Sequence, residues 1–142
     1  MRLSFFALLL TASGLLHAAS CEIVAEQLNR QLRPTVNAVE LAQVLSNLNQ
    51  TGDLPAKFVT KKEAAAAGWR PGSDLHRVLP GKSIGGDHFG NYEKRLPAGR
   101  YKEADLDYRG GKRGAKRIVF SRESRFVTVD HYRTFQEVPP CQ

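Results

Sequence analysis

The apolar residues of this chain change their spacing part-way along, and that change limits the fold more than any other feature. Up to Ala67 they recur at helical period, and from Ser83 onward they alternate as strand residues do. Helices first and strands afterwards, with no helix between successive strands, call for an α+β domain with an antiparallel sheet. At 142 residues the chain is one domain long, with room for a modest core.

Between Cys21 and Pro34, Val24, Leu28 and Leu32 fall four apart, which makes residues 21–36 a short helical extension whose helix Pro34 ends. Asn37 is spaced from Glu40 as a capping box, and Ala38, Leu41, Ala42, Leu45 and Leu48 give the next helix one apolar face, up to Thr51-Gly52-Asp53. Thr60 caps a third helix, Lys61 to Ala67, terminated by Gly68, and Ser73 or Asp74 caps one more helical turn ending near Val78. Strands are expected over Ser83–Phe89, Arg100–Leu106, Lys116–Ser121, Phe126–His131 and Thr134–Val138. The N-terminal helices should pack on one face of a twisted antiparallel sheet of about five strands. Alternation puts Glu103 and Asp105 on the face away from Ala104 and Leu106, and Arg117 away from Ile118 and Phe120.

Residues 1–20 open with Arg2, continue through an apolar core and end in small residues, the pattern of a secretory signal and too short for a membrane anchor. Cleavage after Ala18 or after Ser20 is expected, and after it no membrane segment remains. Of the two cysteines, Cys21 would lie near the start of the secreted chain and Cys141 in a tail, 139–142. In an oxidising compartment they are expected to pair, closing a loop of about 120 residues and restraining the unfolded ensemble by roughly 4–5 kcal/mol. Two free thiols or a lipidated Cys21 are the competing readings, and both leave Cys141 without a role.

Lys and Arg number 21 against 14 Asp and Glu, a formal charge of +7, which points to polyanions and first to nucleic acid. A merely soluble basic surface competes with that reading on equal terms. His76, His88 and His131 are dispersed without ligand spacing, and Gly85-Gly86 lacks the lysine and serine of a phosphate-binding loop, so no metal or cofactor is expected. Between Gly99 and Phe135, Glu103 and His131 stand among arginines and lysines on short strand-like runs. A carboxylate and an imidazole on neighbouring strands can share a proton-transfer reaction on a phosphate held by the cations. Taken singly, Glu103 reads more readily as an exposed strand carboxylate paired with Arg117, and His131 as an ordinary strand histidine; only together do they favour catalysis. Lys61, at a helix start, can join the first-turn N–H groups in binding an anion, or be a solvated surface lysine.

The blocks LPAKFVTKKEAAAAGW, PGKSIGGDHFGNYE, YKEADLDY and DHYRTF, in that order, give residues from about Asn37 to Val138 a resemblance to the bacterial guanyl-specific, barnase-like ribonucleases. The resemblance leaves out 21–34 and the tail with Cys141. It implies the microbial ribonuclease fold over 37–138, with Glu103 as general base and His131 as general acid. Lys61, Arg113 and Arg117 fall on the family's phosphate-binding positions, and Tyr132 on the aromatic after the histidine. The implied reaction is cleavage of single-stranded RNA 3′ to guanosine through a 2′,3′-cyclic phosphate, with no metal. A secreted monomer is implied, together with a small acidic inhibitor resembling barstar made by the same cell.

Base choice rests on Phe89-Gly90-Asn91-Tyr92-Glu93. The carboxylate of Glu93 can accept from guanine N1–H and N2–H while backbone N–H groups of a tight loop donate to O6, and Gly90 and Asn91 are residue types that tolerate the left-handed turn such a loop needs. The family has arginine where this chain has Tyr92; in fungal relatives a tyrosine before the glutamate stacks on the base. Two further classes stay open: a basic RNA-binding module that does not cleave, and a ribonuclease toxin used against neighbouring cells.

Overall fold

The computed structural model describes residues 18–142, so the signal expected over 1–20 lies outside the described residues except for its last three positions. Helix α1, Cys21–Asn29, begins where the Ser20 hydroxyl accepts from the Ile23 N–H, and buries Cys21, Val24, Ala25 and Leu28. Helix α2, Ala38–Thr51, starts at Asn37, whose side chain accepts from the Glu40 N–H, and ends on left-handed Gly52. The expected capping box at Asn37 is only half formed. Glu40 does not reach back to Asn37; it accepts from the Asp107 N–H at 2.6 Å and pairs with Lys57, tying α2 to two later segments. Helix α3, Lys61–Ala66, has the complete box, Thr60 and Glu63 satisfying each other's backbone. Asp74 caps a single 3-10 turn, Leu75–Arg77.

The sheet has six strands in sequential order: β1 Phe58–Val59, β2 Ser83–Phe89, β3 Tyr101–Asp105, β4 Arg117–Phe120, β5 Arg125–Thr128 and β6 Gln136–Glu137. The added strand is β1, which pairs parallel to β2, so the sheet is mixed rather than wholly antiparallel. A two-residue strand carries too little alternation to be read from sequence. Each of its residues nonetheless serves a different face: Phe58 packs with the α1–α2 core and Val59 with a second core.

The two faces of the sheet differ in kind. On one, Ala104, Leu106, Ile118, Phe120 and Val127 bury against α1 and α2, including Leu41, Val44 and Leu45. Gly85 belongs to this face, paired with Ala104; a Cβ there would meet Phe58 at 2.6 Å and Ala104 at 2.8 Å, so only glycine lets β1, β2 and β3 approach this closely. Helix α3 and the 3-10 turn do not join that layer. They pack through Ala64, Trp69 and Leu75 on Ile84, which alternates to the other face at the β1–β2 end. That other face then carries an apolar group, Tyr101, Val119 and Phe126 with Leu96, followed along the strands by polar residues. Glu103, Asp105, Arg117 and Thr128 are all buried there.

Cys21 and Cys141 form a disulfide across 120 positions. Backbone bonds close the same junction, Cys21 N–H to the Gln142 carbonyl and Gln142 N–H to the Ala19 carbonyl. Among the described residues no helix is long and apolar enough to cross a membrane.

Candidate active site

Register on the polar face decides which charges meet. Asp105 pairs directly with Arg117 across β3 and β4, and Arg117 with Thr128 across β4 and β5. Arg117 Nε therefore lies 2.5 Å from Asp105 Oδ1, while Arg113, from the loop before β4, donates to both Asp105 oxygens at 2.8 and 2.7 Å. One buried carboxylate orients two guanidiniums. Arg113 also reaches within 3.8 Å of Glu103 Oε1. Burial works against the Arg113 cation, but the hydrogen bonds and charge of Asp105 and the charge of Glu103 outweigh it and raise its pKa.

The loop that carries Arg113 is held from behind. Asp74 accepts from the Gly111 N–H at 2.9 Å, and the Tyr108 hydroxyl accepts from the Leu75 N–H and donates to the Gly111 carbonyl. Backbone N–H groups donated to it, that of Gly111 first and that of His76 second, hold the Asp74 carboxyl below its ordinary pKa.

His131 is not on a strand. Strand β5 stops at Thr128, and His131 and Tyr132 sit in a turn at φ 55° and 70°, conformations that histidine and tyrosine rarely adopt. Asp130 enforces the turn, accepting from the Thr128 hydroxyl at 2.9 Å, the Thr134 N–H at 2.9 Å and the Thr134 hydroxyl at 2.6 Å. The Tyr132 N–H donates to Thr128 Oγ1, and the His131 N–H to the Ala115 carbonyl. Backbone strain of this sort persists only where several bonds over-determine it. Although partial burial would raise the Asp130 pKa, those hydrogen bonds, led by Thr134, bring it down to about 2.

Tyr132 links the two ends of the site. Its hydroxyl donates to Glu103 Oε2 at 2.8 Å and accepts from Arg117 Nη1 at 2.6 Å, and its ring centroid lies 5.0 Å from that of His131. Burial and the Glu103 hydrogen bond push its pKa up to about 12, so the phenol remains a donor throughout the ordinary pH range. Glu103, Arg113, Arg117 and Tyr132 thus form one cluster on the polar face, and His131, next to Tyr132 in the chain, lines the adjoining pocket. Lys61 stands one strand further out. Its N–H donates to Asp87, which pairs with Glu103 in register, so part of the expected anion-binding helix start is filled by the protein's own carboxylate. The Lys61 ammonium enters no ion pair among the described residues.

Phe89, Gly90, Asn91, Tyr92 and Glu93 all line one pocket of about 340 Å³, and His131, Tyr132 and Phe135 line it too. The expected left-handed geometry at Gly90 and Asn91 is not there; the positive φ of this loop, 53°, falls on Lys94. What Gly90 does is leave room for the Tyr92 ring, an exposed side chain that could swing aside. The Tyr92 ring lies across it, and a Cβ at 90 would sit 2.0 Å from that ring. Asn91 works through its side chain, accepting from the Leu96 N–H at 3.2 Å and donating to the Leu96 carbonyl at 2.7 Å, which staples the loop shut. Tyr92 itself is 88% exposed, free to lie over a bound ring.

Arg95 went unnoticed in the sequence. It pairs with Glu93 at 2.8 Å and donates to the backbone carbonyls of Tyr132 and Arg133, joining the pocket loop to the histidine turn. Nor does the sequence by itself single out Asp105 or Asp130; the alternation that puts Asp105 on the face of Glu103, and the recurrence of Thr at 128 and 134 around Asp130, are the available signals. Among the described residues no group of three or more His, Cys, Asp and Glu could hold a metal ion.

An α+β domain whose open sheet face joins a carboxylate, oriented guanidiniums and a histidine beside an aromatic pocket has the parts of an enzyme that acts on an anionic, ring-bearing substrate. A family model described as ribonuclease matches residues 42–139. Proteins named "Ribonuclease" from Heyndrickxia coagulans, Bacillus intermedius and Bacillus pumilus are each 47% identical over 90 residues, 60% of this chain. The match covers 83% of the first relative and only 56% of the two from Bacillus. This chain belongs to the ribonuclease family, a family of RNA-cleaving enzymes.

Proposed function

We propose that the protein is a secreted, guanyl-specific endoribonuclease that cleaves single-stranded RNA 3′ to guanosine. In this reading residues 1–20 direct export, 21–36 form an extension, 37–138 are the ribonuclease domain and 139–142 carry the second cysteine. Glu103 takes the proton of the ribose 2′-hydroxyl, and the 2′-oxygen attacks the adjacent phosphorus. His131 gives a proton to the departing 5′-oxygen, and a 2′,3′-cyclic phosphate remains. Water then opens that ring with the two roles exchanged. Arg113, Arg117 and Lys61 stabilise the phosphorane charge, and Tyr132 orients Glu103. Guanine lies in the pocket of Phe89 to Glu93, with its N1–H and N2–H donated to Glu93 and Tyr92 stacked on its face.

The observation that carries this reading is Tyr132, which touches Glu103, Arg117 and the neighbourhood of His131 at once while lining the pocket that contains Glu93. With acid, base and cations all supplied by side chains, the reaction is expected to run in EDTA. A panel of NpN dinucleotides, followed to the cyclic phosphate, tests it: GpN should turn over much faster than ApN or CpN. Equal rates on GpN and ApN overturn the guanine pocket, and no turnover of any dinucleotide overturns the mechanism. A cytotoxic ribonuclease would use the same chemistry. In either role the basic site suits a small acidic protein inhibitor that inserts carboxylates, and the enzyme acts as a monomer.

A further inference from the structure

Behind the polar face, at the junction of the sheet with the end of α2, lies a groove of about 410 Å³ lined by Arg100, Lys102, Arg122 and Arg125. Lys102 alternates with Glu103 and therefore points to the helix-covered side, where its register partner is Phe120. No carboxylate lines this groove, and none of the four cations enters an ion pair among the described residues. Five cations elsewhere do carry carboxylate partners: Arg113 and Arg117 share Asp105, Lys116 has Asp107, Lys57 has Glu40 and Arg95 has Glu93. Glu123 and Glu137 lie beside Arg122 and Arg125 in an adjoining hollow, but no carboxylate enters the groove itself, where four like charges favour a bound anion.

Arg125 sharpens the point. Its Nη1 donates to the carbonyls of Ser121 and Ser124, but its Nε is closed from solvent with no partner. Burial lowers its pKa, against which the nearby charge of Glu123 acts. The C-terminus of α2 does not account for the cluster, because none of the four donates to an α2 carbonyl, and Gly52 already caps Leu48. The groove begins one residue along the chain from a hollow that adjoins the candidate site. Residues Phe89 to Tyr92 line both the pocket with His131 and a second hollow that runs on to Ala98 and Gly99, beside Arg100.

We propose that this groove is a second binding site, in which Arg100, Lys102, Arg122 and Arg125 hold backbone phosphates of the RNA strand outside the cleaved guanosine dinucleotide. The inference rests on the ribonuclease reading for its choice of anion. Single-stranded nucleic acid is commonly held by such a groove tracking its phosphates, with stacking aromatics along the way.

The test is the double variant Arg100→Glu/Arg122→Glu, since both side chains are exposed and make no hydrogen bond or ion pair in the fold. Its kcat/KM on a GpN dinucleotide should stay within about twofold of wild type. On a long single-stranded guanosine-containing RNA it should fall about tenfold, and the salt slope of log kcat/KM should flatten by about 1.4, or 0.7 for each of two lost phosphate contacts. Equal losses on both substrates, or none on the long one, overturn the proposal. A second measurement is independent of turnover: fluorescence anisotropy of a non-cleavable DNA oligonucleotide, beside binding to phosphatidylglycerol vesicles. Weakened oligonucleotide binding supports the groove even if no GpN is cleaved, which would sink only the ribonuclease mechanism. Loss of vesicle binding with oligonucleotide affinity intact would assign the groove to a lipid surface and refute the RNA reading.

Discussion

Replacing Asp105 with alanine should do more damage than removing any other carboxylate of the site, because two cations depend on it. The Asp105 side chain is 3% exposed, that of Arg117 6% and that of Arg113 18%, so neither guanidinium gains much water when the carboxylate goes. Glu103, 3.8 Å from Arg113, is the remaining compensation and is already shared with Tyr132. Breaking a buried pair by deleting one partner costs about 3–5 kcal/mol, and here one deletion orphans two partners, so the upper half of that range is expected. For a domain of this size that is a fall in Tm of roughly 10–20 °C. Urea unfolding followed by the fluorescence of buried Trp69 gives the number, with an unchanged m-value showing that the native state rather than the unfolded ensemble was altered. Asp105→Ala combined with Arg113→Met should be less destabilised than the sum of the two, since the second change removes an orphaned charge. At a temperature where the single variant is folded, kcat/KM on GpN should still fall about a hundredfold, because unanchored guanidiniums no longer meet the phosphorane in place. A loss of stability under about 1 kcal/mol would refute the account of Asp105 as the organiser of the site.

Asp130 titrates at about 2 in the folded protein, below the ordinary carboxylate value, so the stability it lends is complete above about pH 4 and disappears as the pH falls towards 2. The difference in Tm between wild type and Asp130→Asn should therefore shrink across that window, measured by thermal melts in a pH series, and a constant difference would contradict the assignment. Arg95→Met should uncouple the pocket loop from the histidine turn, raising KM and lowering kcat for GpN together; a change in KM alone would mean that Arg95 serves only Glu93. Cys21→Ser/Cys141→Ser should lose about 5 kcal/mol in the chain-entropy account of a loop this long, and a loss below about 1 kcal/mol in denaturant titrations would show that the unfolded ensemble was already restrained.

Much of this architecture follows from periodicity and caps that act locally. Asn37, Thr60 and Asp74 start their segments because a short polar side chain there satisfies first-turn N–H groups whatever the rest of the chain does. The division of residues 103–106, with Ala104 and Leu106 on one side and Glu103 and Asp105 on the other, is equally local. What local pattern could not supply was long-range. Glu40 abandons its own helix start for Lys57 and the Asp107 backbone, a choice made by contacts far along the chain. His131 left its expected strand because Asp130 gathers Thr128 and Thr134 into a turn, a competition between side-chain bonds and ladder bonds that alternation does not register. At Gly90 the sequence suggested a left-handed turn, whereas the structure has the Tyr92 ring lying against that residue and the positive φ of the loop at Lys94.

The bond between Cys21 and Cys141 makes the intervening chain a covalent ring that contains the whole sheet and every residue of the candidate site. A ring cut once is still one molecule. A protease that opens the exposed turn around Lys94, or the one around Lys112, leaves two pieces tethered through sulfur. Tethered pieces meet at effective concentrations on the order of millimolar rather than at the dilution of the surroundings. The core contacts of β2 to β5 with α2 can then re-form around the break, and two cuts, or one cut and a reductant, are needed to separate the halves.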